Sequence, residues 1–140
     1  KIRLVEALDV SGSTAAFAAV AELAGHPNRQ VAHSAVIVLG RSGRTEAVIP
    51  VFERILAAPG SSTKVKQAVV NALGLHPGPD SVRLLDSVAA DTANPSGMRQ
   101  TAVSYMRRFG TKDAADKVKL YINDKDAAVK SEAKKKKTDK

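Results

Sequence analysis

The sequence has 140 residues, no cysteine, 44% hydrophobic residues and a formal net charge of +8. This length and composition suit one folded, soluble domain, and the lack of cysteine excludes disulfide bonds and thiolate metal sites. No apolar run approaches the roughly 20 residues of a transmembrane helix, so we expect no membrane span. Composition leaves the cellular compartment open.

The first predicted elements are a helix that ends near Leu8 and a second helix from Thr14 to Ala24. In the second helix, Phe17, Val20 and either Leu23 or Ala24 are expected to point inward. The first helix carries an apolar face without an earlier partner in the sequence: Ile2, Leu4, Val5 and Leu8. Because a helix pair cannot bury its apolar face alone, we expect this end to pack on further repeats of a longer solenoid or on another protein.

From residue 31 onwards, one apolar pattern recurs at intervals of 31 to 34 residues. Its first positions are Val31, Val65, Met98 and Val129. Apolar residues follow four and then eight positions later: Ala35, Val69, Ala102 and Ala133, then Leu39, Leu73 and Met106. This spacing places side chains on one face of a helix, so each segment predicts the first helix of a repeat. Residues typical of helix starts, such as Pro27-Asn28 and Ser61-Ser62, precede the pattern.

A second helix is predicted after each first helix, beyond turns near Gly43, Gly78 and Gly110. These second helices begin with Thr45-Glu46, Pro79-Asp80 and Lys112-Asp113. Their apolar columns are Val48, Val51 and Ile55, then Val82, Leu85 and Ala89, then Ala115, Val118 and Ile122. The alternation predicts a repeat domain over residues 1–128, with the start of a further helix and a basic tail at 129–140. The helix-pair units are expected at about 1–26, 27–60, 61–94 and 95–125.

Several of these first helices resemble the HEAT-repeat superfamily, in particular the short HEAT-like repeats first associated with phycobiliprotein lyases. That pattern has a valine and a basic residue, an alanine about four positions on, and then Leu-Gly. Val65-Lys66 with Leu73-Gly74 matches it well, and Met98-Arg99 with Ala102 matches it in part. The resemblance implies an all-α fold, a right-handed α-α superhelix of antiparallel helix pairs. It implies less about function, because such repeats serve as scaffolds, enzyme subunits, chromophore lyases, nucleic-acid binders and lipid-transfer modules.

We find no set of residues with the spacing of an active site or a metal site. The histidines lack a zinc-binding spacing, the glycine-containing loops do not match a phosphate-binding loop, and the helical serines have no neighbouring base. The residues concerned are His26, His33, His76, Ser34, Ser87 and Ser104. Acidic residues recur at one repeat position, at Glu46, Asp80 and Asp113, which favours helix capping over acid–base chemistry. We therefore expect no enzyme activity, no cofactor and no metal.

The prediction is a non-catalytic protein-interaction or scaffold module, part of a larger protein or complex, that binds another protein through its second helices. The residues expected on that docking face are Glu53, Arg54, Arg83, Asp86, Lys117 and Lys119. The alternative is an accessory domain or subunit of an enzyme, similar to a chromophore lyase or associated with a redox enzyme.

Nucleic-acid binding is the third possibility, because half of the net charge lies in residues 129–140, where six lysines outnumber two acidic residues. The basic contacts it would use on the first helices and in the tail are Lys66, Arg99, Lys130, Lys134, Lys135, Lys136 and Lys137, with Arg107 and Arg108 beside them. We do not favour it, since the charges of the second helices alternate in sign whereas a groove for a phosphate backbone should repeat its charge. Aromatic residues that could stack on bases are also few.

Overall fold

The computed structural model describes residues 14–135, and its regular structure in that range is entirely helical. Eight α-helices and one short 3₁₀ turn are present there: α1 (Thr14–Leu23), α2 (Arg29–Arg41), α3 (Thr45–Ala57), α4 (Thr63–Leu73), α5 (Pro79–Ala90), α6 (Ser96–Phe109), α7 (Lys112–Val118), the 3₁₀ turn (Lys119–Tyr121) and α8 (Ala127–Lys134). The predicted all-α class is confirmed. The helix expected before Leu8 lies outside the described residues.

The helix boundaries follow local capping chemistry. Four helices begin after a residue whose side-chain oxygen accepts hydrogen bonds from first-turn amides: Asn28 (α2), Ser62 (α4), Thr111 (α7) and Asp126 (α8). Pro79 opens α5, where its missing amide hydrogen costs nothing. After α6 the chain turns through Gly110, whose φ of 70° lies in the left-handed region that glycine adopts without strain. The second helices predicted to start at Thr45, Pro79 and Lys112 start there.

The chain divides into two compact units, one ending at His76 and the other beginning at Pro77. In the first unit, α2 packs against α1, α3 and α4, and α3 also contacts α4. At Gly40 the helices α2 and α4 approach each other closely, because a Cβ atom added there would be 2.8 Å from the Cβ of Ala72. The apolar side chains that fill this unit include Val20, Val36, Leu39, Val48, Phe52, Val69 and Leu73, all with no measurable exposure.

In the second unit, α6 contacts α5, α7 and α8, and α5 also contacts α7. Within this unit the first helices of consecutive repeats, α6 and α8, therefore lie side by side, as the repeat pattern predicts. Leu85, Ala102, Val103, Met106 and Val129 are fully buried between these helices. The finer division of the chain into units of about 27–60, 61–94 and 95–125 stays a prediction.

The predicted apolar stripe of the first helices is buried at every position in the described residues, from Val31 to Ala133. The columns of α3 and α5 are buried as well, whereas in that of α7 only Val118 is buried as predicted. There Ala114 and Tyr121 are buried, while Ala115 and Ile122 are exposed. The reason is that α7 tightens into a 3₁₀ turn after Val118, and the three-residue spacing of that turn brings Tyr121 inward instead of Ile122.

Across residues 14–135, none of the helices combines the length and the apolar character that a membrane crossing requires.

Candidate functional site

The six residues predicted for a docking face lie on the second helices α3 and α5 and on the segment from α7 into the 3₁₀ turn. Glu53 and Arg54 belong to the first unit and are exposed. The second unit carries the other four: Arg83, Asp86, Lys117 and Lys119. Of these, Arg83 and Lys119 are exposed, and Asp86 and Lys117 are half-buried. All six side chains have some exposure, so each unit presents charged groups to solvent on its second helices.

In the second unit, positive and negative side chains on this surface lie close together. Arg83 lies 3.6 Å from Asp80 and Lys119 lies 3.8 Å from Asp116, each pair within one turn of chain. Because both pairs are well exposed, they contribute little to stability. Lys117 Nζ is 3.5 Å from the Asp86 carboxylate and so joins α7 to α5. The charges therefore alternate in sign across the surface.

Asp86 also has a structural role that the sequence did not reveal. The hydroxyl of Tyr121 donates a hydrogen bond of 2.5 Å to the Asp86 carboxylate and one of 3.1 Å to the Asp86 main-chain oxygen. Burial, followed by this hydrogen bond to a carboxylate, raises the pKa of Tyr121 well above its usual range. Asp86 thus anchors the 3₁₀ turn to α5, and it is a poor position at which to test partner binding.

The basic contacts predicted on the first helices are not a continuous surface. Lys66 is half-buried and Lys130 is exposed, but Arg99 is only 6% exposed. The Arg99 guanidinium donates to the main-chain oxygen of Ala89 at 2.7 Å and makes two hydrogen bonds to Asp124, at 2.6 and 3.2 Å. These bonds hold the pKa of the Asp124 carboxyl below its usual range. Arg99 is therefore a structural residue and does not face an external phosphate, contrary to the sequence-based prediction.

Arg107 is buried in the same way, so it is also unavailable as one of the predicted basic contacts of the first helices. Its guanidinium donates to the Glu132 carboxylate at 2.9 and 3.1 Å, and both side chains are about 5% exposed or less. Lys135 lies 3.2 Å from the other oxygen of Glu132. Burial would raise the pKa of Glu132, but the hydrogen bonds from Arg107 and Lys135 outweigh it and hold the pKa below the usual range. Lys134 is exposed, whereas Lys136 and Lys137 lie outside the described residues.

The histidines do not converge. His76 is 6% exposed, with Nε2 2.9 Å from the main-chain oxygen of Gly40 and Nδ1 2.8 Å from the Thr45 hydroxyl. It therefore ties the end of α4 to the α2–α3 turn. Burial, and then the nearby charge of Lys64, lower the pKa of the half-buried His33. Within the part of the chain that is described, no three potential ligands group closely enough to hold a metal ion.

Two of the side chains considered as chemical groups, Ser87 and Asp113, have structural partners instead. Ser87 donates to the Leu84 main-chain oxygen at 2.7 Å, one turn earlier in α5. Asp113 accepts from the Thr111 hydroxyl at 2.7 Å, in the first turn of α7. Both geometries are typical of side chains that satisfy helix ends and backbone groups.

Helix pairs that pack side by side on a shared apolar stripe, with charged groups exposed on the second helices, define an α-helical repeat protein. A comparison with protein families agrees, since the family model for HEAT repeats matches residues 55–135. The chain therefore belongs to the HEAT-repeat family, and this membership indicates an interaction or scaffold role. Neither the curated proteins nor the solved structures gave a significant match to the chain.

Proposed function

We propose that this chain is a protein-interaction or scaffold module that docks another protein through the charged side chains of its second helices. The second-helix surface comprises Glu53 and Arg54 in the first unit and Arg83, Asp86, Lys117 and Lys119 in the second. The proposal rests on one observation: these charged residues lie on helices whose apolar residues are buried in the core of their own unit. In α5, for example, Arg83 is exposed between the buried Val82 and Leu84. Because the core of each unit holds the backbone at these positions, this backbone loses little conformational entropy on binding.

The distribution of charge favours a protein partner over a nucleic acid. A phosphate backbone requires positive charges that recur along the surface, whereas the second helices place Asp80, Asp86 and Asp116 among their basic residues. Surfaces with both signs of charge discriminate between protein partners by matching charges of opposite sign. The burial of Arg99 and Arg107 removes two positive charges from the first helices.

The experiment compares two charge-reversal variants of the full chain. The first, Arg83→Glu with Lys119→Glu, changes exposed residues of the second-helix surface, and the control, Lys66→Glu with Lys130→Glu, changes two basic residues of the first helices. Tagged protein is used to capture partners from the source organism, and mass spectrometry quantifies each captured protein. We expect one or more partners to be lost with the first variant, by about tenfold or more, and retained with the control. Circular dichroism must show that both variants keep the helical content of the parent chain.

Three results would contradict the proposal. Equal capture by both variants would show that the second-helix surface is not used. A loss confined to the control, together with steeply salt-dependent binding of RNA or DNA, would indicate nucleic-acid binding instead. A single captured partner that carries a chromophore or a redox cofactor, and whose activity depends on this chain, would show that the chain is an accessory subunit of an enzyme.

A further inference from the structure

A cleft of 390 Å³ lies within the first unit, between two interhelical turns. One wall is the α1–α2 turn with the start of α2, and the other is the end of α3 with the α3–α4 turn. This volume is within the range of about 300 to 1,000 Å³ that is typical of ligand sites. The cleft can therefore accommodate a small ligand or a few side chains of a peptide.

The rim of the cleft is positively charged. Arg29, at the start of α2, and Arg54, near the end of α3, both line it, and both are exposed. None of the described residues that line the cleft is acidic. Among residues 14–135, no carboxylate lies within ion-pair distance of either guanidinium. This distinguishes them from Arg83, Arg99 and Arg107, each of which has an acidic partner.

Other groups at the cleft reinforce the positive potential. The α2 and α4 helices, of 13 and 11 residues, begin at its edge, and helix N-termini carry a partial positive charge. His26 also lines the cleft, and its Nδ1 accepts a hydrogen bond from the Asn28 amide at 3.0 Å. In the neutral ring the proton is therefore on Nε2, which can donate to a ligand. The cleft thus combines two guanidinium groups with a further donor, and residues 14–135 contribute no competing carboxylate to it.

The floor of the cleft is apolar. It is made by side chains of Ala24, Ala32, Ile55 and Val65, each 5% exposed or less. A small inorganic anion would contact the arginines but leave this floor uncovered. A peptide with an apolar side chain beside acidic residues satisfies both parts, because apolar burial is favourable and charge-assisted hydrogen bonds to arginine are strong.

We propose that this cleft binds an acidic peptide segment of a partner protein. An apolar side chain of the peptide covers the floor, and flanking carboxylates pair with Arg29 and Arg54. The inference rests on the proposed function as an interaction module and deepens it, since it specifies a site and the chemistry of its ligand. Of the predicted docking residues, only Arg54 belongs to this cleft.

The test uses a random heptapeptide library displayed on phage, which is panned against the full chain. Selected peptides are synthesised and titrated by fluorescence polarisation against the parent chain, Arg29→Ala/Arg54→Ala, and the control Arg41→Ala/Arg108→Ala. The control removes the same charge at two exposed arginines outside the cleft. We expect the selected peptides to share an apolar residue flanked by Asp or Glu. We expect them to bind Arg29→Ala/Arg54→Ala at least about tenfold more weakly and the control with unchanged affinity.

The inference is overturned if panning enriches no peptides, if the enriched peptides lack acidic residues, or if both double variants bind them equally. Since all four arginines are exposed, loss of the fold is not expected, and matching circular dichroism spectra verify this. The library contains no natural partner, so its result is independent of partner capture. Loss of partner capture in Arg83→Glu/Lys119→Glu supports the second-helix surface, whatever the peptides do. Loss of peptide binding in Arg29→Ala/Arg54→Ala supports the cleft, whatever the capture experiment shows.

Discussion

Arg99 shows why one position of a repeat can mislead when only its sequence is known. It follows Met98 in the first-helix pattern, where Lys66 and Lys130 occupy the equivalent positions of other repeats. Those lysines retain exposure, but the Arg99 guanidinium turns inward to Ala89 and Asp124. Asp124 lies 25 residues away in the sequence, so no local spacing indicates the pair. Arginine is well suited to this position because its planar head makes two parallel hydrogen bonds to a carboxylate.

Replacement of Arg99 by methionine is expected to destabilise the protein by about 3 kcal/mol. The methionine keeps much of the apolar stem, but it leaves Asp124 poorly exposed and without its cation. The free energy of unfolding, measured by urea denaturation, tests this. Arg108→Met is the control, because Arg108 is exposed on the same helix and should change stability by less than about 0.5 kcal/mol. Similar losses in the two variants would argue against the role of the Arg99–Asp124 pair.

Gly40 is a second residue whose importance depends on its tertiary environment. A Cβ atom at this position would contact the Cβ of Ala72 at 2.8 Å, and neither helix backbone can yield easily. We therefore expect Gly40→Val to cost about 1 to 3 kcal/mol, since the helix propensity that it gains is only a few tenths. Thermal denaturation of the variant measures the cost. Gly43→Ala, whose methyl group would meet open space, should melt within a few degrees of the parent chain, and a stable Gly40→Val would mean that α2 and α4 can separate freely.

Among the helices, the segment formed by α7 and the 3₁₀ turn differs from its counterparts. Both α3 and α5 run for 12 residues or more, whereas α7 has seven residues before it tightens. The tightening exposes Leu120 and Ile122 and buries Tyr121, which is held by Asp86. Capping residues, in contrast, act locally, and those at Asn28 and Ser62 were found where the sequence indicates helix starts.

The cap of α2 supplies a prediction about a single helix. The Asn28 side chain accepts hydrogen bonds from the amides of Gln30 and Val31, at 2.9 and 3.3 Å. Replacement by alanine leaves both amides without this acceptor, so Asn28→Ala is expected to cost about 1 kcal/mol. The change is measured as a shift in the urea midpoint with an unchanged slope. Gln30→Ala keeps the cap and serves as the control, and an equal shift in that variant would show that the cap contributes nothing.

At the level of the whole chain, the protein has a net positive charge, yet two poorly exposed carboxylates are ionised in the folded state. Asp124 and Glu132 both have pKa values below their usual range, because they accept hydrogen bonds from Arg99 and from Arg107 and Lys135. The stability of the second unit depends on these charges, since both ion pairs lie within it.

Acidification is therefore expected to destabilise the second unit. A carboxylate whose folded-state pKa is lowered contributes stability above its unfolded value, near 4, and this stability is lost as the pH falls through the folded value. The melting temperature should fall slightly from pH 7 to about 5, because the lowered pKa of His33 makes its protonation favour unfolding, and should fall more steeply below about pH 4. In Asp124→Asn/Glu132→Gln this acid-dependent fall should be smaller, whereas Glu46→Gln/Asp113→Asn, at exposed positions, should keep the full dependence. Parallel curves for all three proteins would refute the assignment.

The helix starts and the buried stripe of the first helices could be predicted because each depends on residues within a few positions of one another. The repeat period could be predicted because this local pattern recurs along the sequence. Val31, Val65 and Met98 share one face of their helices with the other apolar residues of the stripe, and all three are buried. The same holds for membership of the HEAT-repeat family, which rests on the repeated pattern.

Tertiary structure alone decided which charged groups face solvent. Arg99 and Arg107 pair with carboxylates 25 residues away, His76 bridges Gly40 and Thr45, and Arg29 and Arg54 meet at one cleft. The physical reason is that a helical spacing determines which side of its own helix a residue occupies. Whether that side is covered, and by which partner, depends on a helix that the chain brings there from a distant part of its sequence.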